Sequence, residues 1–222
     1  GAKNTALGDS ALGANTTADN NTAVGYHALV ANTTGYSNTA VGRGALATNT
    51  TGVQNTAVGY FALTSENTGG DNTAVGRQAC ANQQGASGNV AMGYRALYTN
   101  TTGIQNVGVG NSALLSNTTG ERNVAVGWRV ADANTTGSRN TAIGDHALSD
   151  NTTGNYNVCM GSSSLSNNTT ASENTAIGYE AMLANTTGNN NTAVGNKALD
   201  SCTTGGSNTV VGSVAGNDIT DG

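Results

Sequence analysis

The chain repeats itself every 17 residues with no insertion or deletion. The Asn that opens "NTAVG" falls at Asn4, Asn21, Asn38, Asn55, Asn72 and Asn89, then at Asn106, Asn123, Asn140, Asn157, Asn174, Asn191 and Asn208. Thirteen such repeats account for 221 of the 222 residues. A fixed period in this range signals a solenoid, a propeller or an array. The consensus is N-T-A-V-G-x-x-A-L-x-x-N-T-T-G-x-x, numbered here as positions 1 to 17. An active site needs a few unlike groups converging on one point, whereas a repeat sets the same group in a line.

Length alone would suggest one or two globular domains. Stacked coils instead make one quasi-one-dimensional body, so residues 1–222 are read as a single array. At ~4.8 Å per coil such a body is about 60 Å long. The first repeat, "NTALGDSALGANTTAD", already obeys the consensus, while solenoids end in atypical caps. With its Gly-Ala-Lys start, the chain therefore reads as a segment of a longer array or as a processed product. The last repeat drifts, with Gly216 in the Leu column and Ile219 in the Asn column, and is a candidate cap.

Position 5 is Gly in all thirteen repeats, and position 15 is Gly in ten and Ala in three. Two bends in 17 residues, with abundant Asn, Thr and Val, exclude helix and predict short strands separated by tight corners. The fold class is therefore all-β, a parallel β-solenoid of thirteen coils. Position 4 is always Val, Ile, Leu or Met, and is expected to point into the coil with position 2 beside it. Position 3, usually Ala, then faces outward. Apolar columns on both faces of one strand call for a partner, so Ala23, Ala40, Ala57 and Ala74 are the expected homo-oligomer interface. The invariant Asn of position 1 is expected to stack, amide on amide, along the axis.

"NTAVGYHAL", "NTAIGDHAL" and "NVAVGWRVA" resemble the head repeats of YadA-like trimeric adhesins. Similar Asn/Thr/Gly-rich repeats occur in phage tail-fibre-like proteins and other bacterial surface fibres. The resemblance covers the whole chain and is specific at positions 1 to 9. It implies a left-handed parallel β-roll, three copies packed side by side as a homotrimer, and a role in display or adhesion at a cell or virion surface. The coil is longer than that family's usual one, and "NTTG" reads as an added outer loop.

The side chains that carry chemistry are dispersed. His27 and His146 both occupy position 7, seven coils apart, which is about 34 Å and too far for a shared metal or proton relay. The acidic residues follow no column and no calcium-loop pattern. Ser and Thr form no grouping with His and Asp. Cys80, Cys159 and Cys202 stand in different columns and read as small buried hydrophobes. Neither catalysis, nor a cofactor, nor a metal is expected. The net charge is −5 and the eight Lys and Arg form no stripe, which argues against nucleic acid. No apolar run approaches the ~18 residues of a membrane span.

Two outward columns carry the remaining information. Position 6 holds Tyr26, Tyr60, Tyr94 and Trp128 at every second coil, with Arg43 and Arg77 between the first three. This is either a self-stacking cation–π ladder or a platform for carbohydrate. Position 12 opens Asn-Thr-Thr at Asn15, Asn32, Asn49, Asn100, Asn117, Asn134, Asn151, Asn168 and Asn185, nine acceptor patterns for glycan. Glu66 and Gln83 interrupt that column. Ladders of Asn and Thr that satisfy the loop backbone explain the same residues without sugar.

The expected function is a structural segment of an extracellular fibre or adhesin stalk. The alternative is a protein recognising a periodic ligand, polysaccharide or, less favourably, ice. A flat ice-facing array needs Thr at alternate strand positions, whereas Thr16–Thr17 and Thr33–Thr34 are adjacent.

Overall fold

The computed structural model describes residues 1–220. Within them the chain is all-β: thirteen three-residue strands recur every 17 residues as a parallel β-solenoid, with no helix. Two compact units divide the chain, Gly1–Asn111 and Ser112–Gly222. The first carries β1 (Thr5–Leu7) through β7 (Val107–Val109), the second β8 (Val124–Val126) through β13 (Thr209–Val211).

Within each unit the register never slips. Between β2 (Thr22–Val24) and β3 (Thr39–Val41), Thr22 faces Thr39, Ala23 faces Ala40 and Val24 faces Val41. Backbone bonding continues beyond the strands around the coil. Leu29 N–H donates to Ala45 at 3.0 Å, Ser37 N–H to Asp19 at 3.1 Å and Thr33 N–H to Thr50 at 3.0 Å. A 17-residue turn therefore satisfies its backbone groups mainly against neighbouring coils, as buried backbone must.

The corners come from left-handed backbone. Position 5 takes φ near +130°, as at Gly25 (+132°) and Gly42 (+130°), a region closed to residues with a side chain. A Cβ on Gly25 would also stand 2.7 Å from the carbonyl of Gly42 in the next coil. Conformation and close approach therefore both demand glycine there. Positions 7, 9 and 17 enter the left-handed region with ordinary side chains, as at His27 (+57°), Leu29 (+49°) and Ser37 (+56°).

Position 9 explains the core. Its left-handed turn breaks strand alternation, so Ala28 and Leu29 at positions 8 and 9 are both fully buried. Leu29, Leu46, Leu63, Leu97, Leu114, Leu148, Leu165 and Leu199 are the principal fillers. Across from them stands the Ala of position 3, also fully buried at Ala23, Ala40, Ala57 and Ala74.

This reverses the expected strand orientation. Ala23, Ala40, Ala57 and Ala74 do not form an interface with another chain, because they lie inside their own coil. Position 4 faces out, half-buried at Val24, Val41, Val58 and Val75 and clearly exposed at Met92 (44%) and Met160 (42%). The physical reason is volume. A coil this thin, already holding a Leu and two Asn columns, has room for a methyl group at the strand. The larger β-branched residues cover one another outside, along neighbouring strands.

Leu in place of Ala57 should therefore overpack the coil and cost about 1–3 kcal/mol, read as a fall in the urea midpoint. An unchanged midpoint would put position 3 back on the outside.

Candidate functional site

Two columns of Asn run inside the coil. At position 1, the side-chain carbonyl accepts the backbone N–H of the next Asn: Asn21 to Asn4 at 2.8 Å, Asn38 to Asn21 and Asn55 to Asn38 at 2.9 Å. The Nδ2 of Asn21 donates across the coil to the carbonyl of Gly35 at 2.9 Å. At position 12, Asn32 donates to that same Gly35 carbonyl at 2.9 Å and to the Oδ1 of Asn15 at 3.1 Å. A coil with Asn at both positions is thus cross-braced by two amides meeting on one carbonyl, and the amide columns also tie coil to coil within each unit.

This geometry corrects the glycan reading. Asn32, Asn49, Asn100, Asn117, Asn134, Asn151, Asn168 and Asn185 are buried at 1% exposure or less. Their Nδ2 atoms face the coil interior, as Asn134 does in donating to Asn117 and Gly137 at 2.8 and 3.0 Å. Asn15, in the first coil, is half-buried, and its Nδ2 donates to Ala18 at 3.1 Å. None of these amides points outward for transfer of a sugar. The Thr pair that follows splits: Thr33 Oγ1 donates to the Thr50 carbonyl at 3.0 Å, whereas Thr34 is exposed. Acceptor spacing carries no information about which way an amide points. That information lay in the small residue at position 15, whose carbonyl the amides share.

The interruptions are solved locally. Glu66 is fully buried, yet its Oε1 accepts backbone N–H groups from Asn67 (2.9 Å), Thr68 (3.0 Å), Gly69 (2.6 Å) and Gly85 (3.0 Å). Its Oε2 accepts the Nε2 of Gln83 at 2.9 Å, and Gln83 Oε1 in turn accepts from Asn89 at 3.0 Å and Asn100 at 3.3 Å. A longer acid followed by a longer amide thus bridges two coils. The cost falls on Asn49, whose Oδ1 is buried without a partner because an acid follows where an amide donor normally stands. Asn185 Oδ1 is unpartnered in the same way, and Cys202 occupies the next position 12.

Outside the coil, position 6 forms the anticipated ladder within residues 1–111. The Arg43 guanidinium lies 5.7 Å from both the Tyr26 and Tyr60 ring centres, and Arg77 lies 5.9 Å from Tyr60 and 5.5 Å from Tyr94. The rings remain exposed, at 45%, 40% and 37% for Tyr26, Tyr60 and Tyr94. In the second unit Trp128 is 48% exposed, with Arg129 5.8 Å from its ring centre and His146 edge-on at 4.6 Å. Position 7 also pairs along the axis: Lys197 lies 3.1 Å from Glu180. A hydrogen bond from Tyr179, then that Lys, holds the Glu180 carboxyl below its ordinary value.

The three cysteines are buried and form no disulfide among the described residues, and burial pushes the Cys80 and Cys159 thiols far above their ordinary range. No group of three His, Cys, Asp or Glu stands close enough to hold one ion among the described residues. No helix there is long and apolar enough to cross a membrane. Comparison with family models, characterised proteins and solved structures finds no match.

The unpartnered Asn185 carbonyl generates a test. Asn in place of Cys202 supplies the missing donor and should raise stability by about 1 kcal/mol, seen as a higher urea midpoint. A lower midpoint would contradict the ladder account. Peptide mass spectrometry of native material should find the Asn-Thr-Thr asparagines unmodified.

Proposed function

We propose that the chain is a structural segment of an extracellular fibre or adhesin stalk, at a cell or virion surface, built from copies of itself packed side by side, three in number on the resemblance. It acts through regularity and display and not through catalysis. The observation that carries this reading is the outward face of the sheet. Thr or Val at position 2 and Val, Ile or Met at position 4 stand half-buried or exposed in line, as at Thr39 and Val41, with no charge among them. A contiguous apolar stripe of this kind marks an association surface. A second copy has the same coil spacing and can match it strand for strand. Exposed Thr at position 14, such as Thr34, Thr51 and Thr102, offers hydroxyls for display or for O-linked sugar.

A second reading, a periodic ligand, gains from the same face, because Thr22 and Val24 now sit at alternate, outward positions. Carbohydrate and ice both belong to it. Thermal hysteresis in the native protein would favour ice, and its absence removes that ligand.

Sedimentation at working concentration should show an oligomer for the unaltered chain. The combined change Val41→Glu, Val58→Glu and Val75→Glu should release folded monomers. A unaltered chain that sediments as a monomer, or an oligomer indifferent to these substitutions, would contradict side-by-side packing through this face.

A further inference from the structure

Position 7 carries a side chain in every coil but one. The exception is Gly44, between His27 and Phe61. Backbone conformation does not explain it. Gly44 takes φ +67°, and Ser10, Ser112 and Ser163 hold nearly the same conformation at +58°, +58° and +55°. Space does explain it. A Cβ on Gly44 would lie 2.3 Å from Cε1 of Phe61, whose ring has leaned over the missing side chain.

Beside the Phe61 ring that fills this place lies a hollow of about 230 Å³ lined by Tyr26, His27, Arg43, Gly44, Ala47 and Phe61. At ~30 Å³ per water this is the volume of roughly seven to eight waters, enough for one six-membered sugar ring. Its walls are aromatic. Tyr26 and His27 stack at 3.9 Å with a 14° interplanar angle, and Tyr60 meets Phe61 edge-on at 4.4 Å. Arg43 is held within 5.7 to 5.8 Å of the Tyr26, Tyr60 and Phe61 ring centres. No acidic side chain pairs with it among the described residues. Its guanidinium is therefore pre-oriented by rings, with its donor fork lacking an anionic partner.

We propose that this hollow is a binding site for a single uronic-acid unit, the sugar ring resting on the aromatic walls and its carboxylate meeting the Arg43 fork. Polarised C–H groups of a sugar face suit the negative face of an aromatic ring. A planar carboxylate suits the guanidinium in bidentate geometry. Arg77 supplies an internal comparison, because it is sandwiched by Tyr60 and Tyr94 in the same ladder but is followed by Gln78, whereas Arg43 is followed by Gly44. The site is local to coils two to four and independent of how copies of the chain associate.

The test is titration of the intact 222-residue chain with glucuronate, followed by NMR of the His27 and Phe61 ring protons. Saturable shifts in the millimolar range are expected, with glucose at least about tenfold weaker for want of the charge-assisted pair. Gly44→Ser, which the backbone accepts elsewhere at position 7, should abolish the shifts. Arg43→Gln should erase the preference for glucuronate over glucose, and Arg77→Gln should change neither. Oligogalacturonate binding as well as the monosaccharide would assign the unit to a polysaccharide, and monosaccharide binding alone to a free sugar acid. Absent shifts, equal binding of glucose, or unchanged binding in Gly44→Ser would overturn the proposal.

Discussion

Everything in this fold depends on a carbonyl that two buried amides share. In the second coil, Asn21 and Asn32 both donate to Gly35, and their own carbonyls are turned along the axis toward the next coil. A coil so thin cannot close around hydrocarbon alone. Its interior must accept polar groups, and each must be hydrogen-bonded to avoid a desolvation penalty of roughly 1–3 kcal/mol. Asn fits because one short side chain both donates and accepts. The ladder is also directional: within each unit, an Asn accepts at its side-chain carbonyl from the coil that follows and donates to the coil before, as Asn32 does between Asn49 and Asn15. This is why the breaks at Glu66 and Cys202 leave an unpartnered oxygen on the coil before them.

Cross-bracing fixes the coil perimeter, and the perimeter fixes what lies outside. Because no coil gains or loses a residue, position 6 of one coil stands beside position 6 of the next. Tyr, Arg, Tyr, Arg and Tyr thereby form a continuous cation–π ladder from Tyr26 to Tyr94. A surface built this way offers lines of identical groups. The omission of one side chain, as at Gly44, is then the way it makes a single distinct place.

The period, the parallel strands and the invariant bend at position 5 were legible in the sequence, because each depends on backbone geometry that one residue type reports. Orientation was not legible. Val24 is more apolar than Ala23, and hydrophobicity alone sends Val inward. The interior instead selects by volume, with Leu29 already filling it from the opposite wall. Leu29 and Ala28 point the same way because of a left-handed φ at position 9, which no residue preference announces for Leu. The Asn-Thr-Thr column showed a similar limit. A motif gives the order of groups along the chain, whereas the direction of Asn32 follows from the Gly35 carbonyl that it reaches across a corner. The hollow at Gly44 needed the lean of Phe61, a contact between coils.

Side-chain amide hydrogen exchange, followed by NMR on protein labelled at Asn, tests the central claim most directly. Buried amides locked between a carbonyl and the next coil should exchange orders of magnitude more slowly than free ones. The account predicts slow Nδ2 protons for Asn38, Asn55, Asn134 and Asn151 and fast ones for the exposed Asn67 and Asn190. Uniformly fast exchange at positions 1 and 12 would mean that the amides face water and that the coil is held together in some other way.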